Sequence, residues 1–203
     1  CIGPMVICAA MIDEKKADHL SEIGVKDSKL LTPSQRQMMF VKLSKLIRYE
    51  IIVVSPEEID KAVYGTGGLN LNWLEATKSA ELINMLKPDK AIIDCPSPNI
   101  GAYTSFIEER LKEKPELVVE HKADANHLIA AAASVIAKVT RDREVEKIQE
   151  KVKEPIGSGY PADPVTKKFL MKNFDKYPEI FRHSWACYKT LKEMKYQKDL
   201  EEF

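Results

Sequence analysis

Four stretches of the chain are continuous apolar runs of strand length: Met5 to Ile12, Tyr49 to Ser55, Lys90 to Asp94 and Glu116 to His121. Runs of this kind, without strict alternation, predict strands buried on both faces. Between them the apolar spacing changes to the three-and-four rhythm of helices, and each helix has a start signal. Thr32-Pro33-Ser34-Gln35 places a cap, an N1 proline and a capping-box glutamine ahead of Met38, Phe40, Leu43, Leu46 and Ile47. Ser55-Pro56-Glu57-Glu58 repeats the device. Asn70 or Asn72 opens a helix carrying Leu74, Thr77, Leu82 and Met85 that stops before Pro88, and Asn99 caps one carrying Tyr103, Phe106, Ile107 and Leu111. Strands that alternate with helices predict an α/β layer fold, a sheet covered by helices. After Lys153 a loop, "EPIGSGYPADP", is followed by two helix-like segments and no strand. The expectation is an α/β body over residues 1–153 and a helical C-terminal extension over residues 154–203.

Composition changes this picture little. The chain has 203 residues, 44% hydrophobic and 31% charged, enough to bury one substantial core. Thirty-one basic residues balance thirty-one acidic ones, which removes the global electrostatic hint of a nucleic-acid partner but leaves room for a local basic face. Cys1, Cys8, Cys95 and Cys187 have neither CxxC nor metal-ligand spacing. They predict no disulfide framework and no zinc site, and with them a reducing, cytoplasmic setting. No apolar run reaches membrane-spanning length, and no signal peptide is visible.

The candidate chemistry sits where strands end. Asp94 closes the run "AIID" and is followed by Cys95-Pro96, which cannot continue a central strand, so its carboxylate lies at the C-terminal edge of the sheet, where open α/β sheets bind ligands. An aspartate that merely hydrogen-bonds its own turn is the plainer alternative. Asp124 follows the fourth run by three residues, at the head of "ADANHLIAAAASVIAKVTRDR", and alone reads as a helix N-cap. If the two strands are parallel neighbours, both carboxylates share one rim and suit Mg²⁺ or Mn²⁺, the hard ions of phosphoryl chemistry. Alternation sends Glu120 and His121 to opposite faces, and His121 and His127 read as packed or solvent-edge histidines. The alanines Ala130 to Ala133 favour a long helix able to approach a neighbour closely, holding Asp124 in place. "GSGYP", from Gly157 to Pro161, puts Tyr160 in a glycine loop, either a plain turn or a platform that stacks on a sugar or base. "VKDSK" is a polar loop whose hydroxyl and lysines suit phosphate contacts.

Taken in order, "IGPMV", "VKDSKLL", "AIIDCP", "EHKADANHLIAAAASVIAKVTRDR", "GSGYPADP" and "RHSWACYKTL" resemble ribonuclease HII, particularly its archaeal form, over essentially the whole chain. The resemblance implies a ribonuclease H-like mixed sheet flanked by helices, with a helical C-terminal extension. It implies an endoribonuclease that hydrolyses RNA in RNA/DNA hybrids and cuts 5′ of single ribonucleotides in duplex DNA by a two-metal mechanism, leaving 3′-hydroxyl ends. By the same resemblance Asp94 and Asp124 are two of four metal-binding acids, and Tyr160 is the residue that senses the RNA–DNA junction. The resemblance also implies that Ser28 and Lys29 line the substrate groove and that Gly157 and Gly159 contribute to substrate binding. The family's adjacent Asp-Glu pair and its Gly-Arg/Lys-Gly loop are expected just ahead of Cys1; a chain truly starting at Cys1 is expected to be inactive and poorly folded.

The end of the chain carries a second pattern. Gln197, Leu200 and Phe203 have the Q-x-x-L-x-x-aromatic spacing of sliding-clamp-binding peptides, against the plain reading of a charged, frayed terminus. The expected partners are therefore RNA/DNA hybrid, ribonucleotide-containing duplex DNA and a sliding clamp, with no membrane, and the chain is read as a monomer. The rivals are a non-catalytic nucleic-acid or clamp-binding module and another ribonuclease H-fold nuclease such as a junction resolvase. "GSGYP" speaks against the resolvase, because sensing a ribose is the family's use for that loop.

Overall fold

The structure, a computed structural model, describes residues 1–65 and 70–201, with side chains through Met194. The elements run β1 (Met5–Met11), α1 (Asp18–Glu22), α2 (Pro33–Leu46), β2 (Arg48–Val54), α3 (Pro56–Tyr64), α4 (Leu71–Leu86), β3 (Lys90–Asp94), α5 (Ile100–Glu108), β4 (Glu116–Glu120), α6 (Ala123–Asn126), α7 (Leu128–Val152), α8 (Pro164–Asn173) and α9 (Ala186–Glu201). The α/β class and all four strands expected from the sequence are present. The helix starts are local chemistry. Thr32 Oγ1 accepts from Gln35 N at 3.2 Å while Gln35 Oε1 accepts from Thr32 N at 2.9 Å, a complete capping box. Ser55 accepts from Glu58 N and Asn99 from Ala102 N in the same way.

Among the described residues the strands form two two-stranded sheets, β1 with β2 and β3 with β4. The second pair is parallel, in the register Lys90↔Glu116 through Asp94↔Glu120. Each strand therefore has one free edge, and β1 is only half-buried along its whole length, where its apolar run predicts a strand covered on both faces.

The chain forms two compact units. One is built from Val6–Val53 and Leu71–Thr140, the other from Cys1–Met5, Val54–Asn70 and Arg141–Phe203. The division does not follow the change of sequence rhythm at Glu154. Helix α7 continues to Val152, and its last turns supply Val145 and Val152 to the same core as Phe169, Leu170, Ile180, Phe181 and Tyr188. Ile2 joins them fully buried, so the extension's core draws on both ends of the chain. Cys1 and Cys187 are disulfide-bonded with their Cα atoms 6.7 Å apart, which corrects the expectation that the cysteines are unpaired. Sequence spacing could not reveal this bond, because 186 residues separate two cysteines that the fold brings together. Cys8 and Cys95 are free thiols.

The first unit has two cores. In the larger, Ala131, Ala132, Val135, Ile136 and Val139 of α7 meet Leu20, Val25, Leu31, Met39 and Leu43. These positions recur at three and four residues, so the small alanines Ala131 and Ala132 lie on the buried face of α7. In the smaller, α4 and α5 cover β3 through Ala76, Ala80, Ile83, Ala91, Ile93, Tyr103 and Ile107, with Trp73 tilted against Phe106 at 4.6 Å between ring centroids. No helix among the described residues is long and apolar enough to cross a membrane.

Ala132 is fully buried, so Ala132→Leu must overpack the α7 seam. The expected loss is about 1–3 kcal/mol, read as a lower midpoint in urea with an unchanged slope.

Candidate active site

The C-terminal ends of β3 and β4 place two carboxylates on one rim. The parallel register sets Asp94 opposite Glu120, and Cys95 N extends the ladder to Glu120 O at 2.9 Å. The chain then turns through Lys122, held at φ 59, into the single turn of α6. Asp94 Oδ1 accepts from Ala123 N at 3.2 Å, so the carboxylate at the end of β3 satisfies one of the free N–H groups that open α6. Asp124, the next residue, is buried. Its Oδ2 accepts from Lys29 Nζ at 3.1 Å, while its Oδ1 is buried and accepts no hydrogen bond among the described residues.

Asp124 does not cap the alanine-rich helix. His127 is extended at φ −127, ψ 121, which ends α6 and separates it from α7. The break gives Asp124 a short turn of its own. His127 Nε2 lies 3.2 Å from Glu120 Oε1, which also accepts from Asn126 Nδ2 at 2.8 Å. His121 Nδ1 donates to Cys95 O at 2.8 Å. Both histidines thus have protein partners, as the sequence suggests. No cluster of three or more His, Cys, Asp or Glu side chains shaped for a metal occurs among the described residues.

The "DSK" segment sits against the same rim. Asp27 opens a short 3-10 turn, Ser28–Leu30, by accepting from Lys29 N at 2.8 Å. Ser28 is fully buried: its Oγ lies 2.8 Å from Ser134 Oγ and accepts from Lys138 Nζ at 2.7 Å. The hydrogen bond from Lys29 to Asp124, reinforced by their charges, holds the Lys29 ammonium above its usual range. Burial, with Lys29 as a neighbouring positive charge, pushes Lys138 below its usual range. Two ammonium groups near one another and beside buried hydroxyls favour an incoming anion over either staying as it is. Lys138 was not singled out from the sequence. Its signal is the i, i+4 pair Ser134 and Lys138, two polar residues flanking the apolar stripe of α7.

Gly157 and Gly159 belong to the second unit. Both adopt positive φ, 69° and 75°. A Cβ on Gly157 would stand 2.7 Å from Asp163 Oδ2, and one on Gly159 would stand 2.6 Å from Arg141 Nη2. The loop is held from beneath by side chains. Asp163 accepts from Ser158 N at 2.6 Å and Val165 N at 2.8 Å, and Thr166 Oγ1 accepts from Gly159 N and donates to Ile156 O, both at 2.9 Å. Tyr160 is 48% exposed, with the Arg141 guanidinium carbon 4.1 Å from its ring centroid. Arg141 was also missed in the sequence, because nothing in "VTRDR" marks which of its arginines is buried. Gln197 and Leu200 fall within α9, their side chains outside the described ones, and Phe203 lies outside the described residues.

Comparison with known proteins bears on this geometry. A family model described as Ribonuclease HII matches residues 1–188. The ribonuclease HII of Pyrococcus horikoshii is 43% identical over 198 residues, 95% of this chain and 87% of that protein. That of Methanococcus maripaludis strain C6 is 42% identical, covering 94% and 81%. The crystal structure of the ribonuclease H2 from Pyrococcus horikoshii superposes with a TM-score of 0.83 at 43% identity, over 95% of this chain and 92% of that one. A structure of a PCNA:RNase HII complex from Archaeoglobus fulgidus matches with a TM-score of 0.79 at 34% identity, over 93% and 88%.

The loop hydrogen bonds hold the Asp163 carboxyl down at about 2, from an ordinary 3.8, the Ser158 backbone N–H being the largest cause. A depressed carboxyl contributes its full stabilisation above about pH 4, and the contribution disappears as pH falls through about 2. Acid titration followed by limited proteolysis of the 156–166 loop is expected to show loosening across that window, and Asp163→Asn is expected to loosen the loop at neutral pH and flatten the transition.

Proposed function

The chain belongs to the ribonuclease HII family, and on that premise we propose how its own residues serve the family's reaction. It is a metal-dependent endoribonuclease that hydrolyses RNA in RNA/DNA hybrids. We further read it as cutting on the 5′ side of single ribonucleotides in duplex DNA, leaving a 3′-hydroxyl, and as acting as a monomer in the cytoplasm. The observation that carries the assignment of the site is the buried Oδ1 of Asp124, an acceptor without a donor among the described residues, on the rim that also holds Asp94. An ionised carboxylate oxygen can only accept, so what it lacks is a cation or a donor that the substrate complex brings. The hard-oxygen chemistry of the pair fits Mg²⁺ or Mn²⁺, with Asp94 and Asp124 as the holding residues.

When bound, such an ion supplies Lewis acidity at the scissile phosphate and a lowered pKa for the attacking water. The chain does the rest by placement. Asp94 is fixed through Ala123 N and so joins the end of β3 to α6, which holds Asp124 beside it. Lys29, bonded to Asp124, orients that carboxylate in the absence of substrate. Lys29 and Lys138 offer ammonium groups to the substrate backbone, with the buried Ser28 hydroxyl holding Lys138 in place. Tyr160, with its exposed ring, stacks on the ribose at the junction, and Gly157 and Gly159 let its loop reach the conformation this requires. Water is the nucleophile, and no side chain forms a covalent intermediate.

Asp124→Asn in the full-length protein keeps the shape and an acceptor for Lys29 while removing the charge. Nicking of a duplex with one ribonucleotide in Mg²⁺ is expected to fall by roughly 100-fold or more, with the melting temperature nearly unchanged. Retained nicking would remove Asp124 from the ligand set.

For the C-terminal peptide we propose sliding-clamp docking through Gln197, Leu200 and Phe203, a reading supported by their spacing and by the relative solved with PCNA. Deleting residues 197–203 is expected to abolish clamp capture in a pull-down and to leave hydrolysis of a hybrid without clamp intact; capture at the parental level would sink the proposal.

A further inference from the structure

The Arg141 side chain is the least expected feature of the second unit. An arginine is almost never fully buried unless its donors are used, yet Arg141 is 7% exposed. Nη1 donates to Ser158 O, and Nη2 points to Ile2 O at 3.4 Å. One guanidinium thus binds the backbone of the "GSGY" loop while its flat face lies against the Tyr160 ring. Gly159 completes the arrangement: the space a Cβ would fill there is already occupied by Arg141 Nη2, 2.6 Å away. The glycine is therefore required by the guanidinium as well as by its own φ of 75°.

The consequence falls on the tyrosine. Among the described residues the guanidinium is the only ring partner of Tyr160. One face is occupied by a planar, buried cation, and about half of the residue remains open. An aromatic platform stacked on one side loses less freedom when a second planar or apolar surface arrives on the other, so less of the binding energy goes into ordering it.

We propose that Arg141 is a positioning residue for substrate selection, acting through Tyr160: it fixes the "GSGY" backbone and supports one ring face so that the other is presented to the ribose at the RNA–DNA junction. This rests on the reading of Tyr160 as the junction contact. Arg141 touches no reacting atom. Its effect appears in discrimination between substrates rather than in the chemistry at the carboxylates.

The test is a double-mutant cycle on the full-length protein with Arg141→Lys, Tyr160→Leu and their combination. The readout is the ratio of kcat/KM for a duplex with a single ribonucleotide to kcat/KM for an all-RNA/DNA hybrid, with melting temperatures measured alongside. Tyr160→Leu is expected to lower the ratio by at least about tenfold and Arg141→Lys by about tenfold, in keeping with the loss of the planar stacking face and of the forked pair of donors. In the Tyr160→Leu background Arg141→Lys should change the ratio by less than about twofold, because its route to the substrate is gone. A ratio untouched by Arg141→Lys but lowered by Tyr160→Leu overturns the role of Arg141 alone. Equal effects of Arg141→Lys in both backgrounds assign it to folding and also overturn the proposal. A ratio unchanged by Tyr160→Leu overturns the reading of Tyr160, and the inference with it. Should Arg141→Lys fail to fold, Arg141→Gln, which keeps a planar donor group for Ser158 O while removing the charge, goes through the same cycle with the same expectations.

Discussion

The hydrogen bond from Ala123 N to the Asp94 carboxylate is the contact on which the candidate site depends. It joins the end of β3 to the first turn after β4, and it does so only because the parallel register leaves both strand ends level. The turn it opens carries Asp124 one residue further on, so the bond links the elements that carry the two acids. Asp94 thereby uses one oxygen structurally. Asp124 is left with an oxygen that no described group satisfies. Buried acceptors are ordinarily paired, and an exception on the rim of a sheet points to function more than to strain.

The cost of this arrangement is offset nearby. Two acids on one rim repel each other, and Lys29 answers by bonding Asp124 from a separate segment of chain. Lys138, the buried hydroxyl of Ser28 and the half-buried hydroxyl of Ser134 satisfy one another in a polar cluster beside α7. The alanine seam matters here. Larger side chains at Ala131 and Ala132 would hold α7 away from the residues that carry Leu31 and Leu43, and with them the "DSK" turn.

Much of this was legible beforehand where its cause is local. Capping boxes, proline starts and apolar rhythm act within four or five residues, and the helices they predict from Thr32, Ser55 and Asn99 form as expected. The rim position of Asp94 follows from a strand ended by proline. The break at His127 was not legible, because helix propensity across "ADANHLIAAAA" is continuous and only tertiary contacts divide it. Nor was the burial of Arg141, since its acceptors are carbonyls, which every residue has, and its position in the fold alone decides which ones it meets.

By itself, then, the sequence determined the element types, most of their boundaries, the acids at the strand ends and, through its motifs, the family. Only the tertiary structure decided that Asp94 bonds Ala123, that Lys138 and Ser134 join Ser28, that Cys1 pairs with Cys187, and that one arginine supports the tyrosine loop. The physical reason is range. Propensity and capping are properties of neighbouring residues, whereas these contacts join groups such as Ser28 and Ser134, 106 residues apart, whose meeting costs chain entropy that the cores of the fold must first overcome.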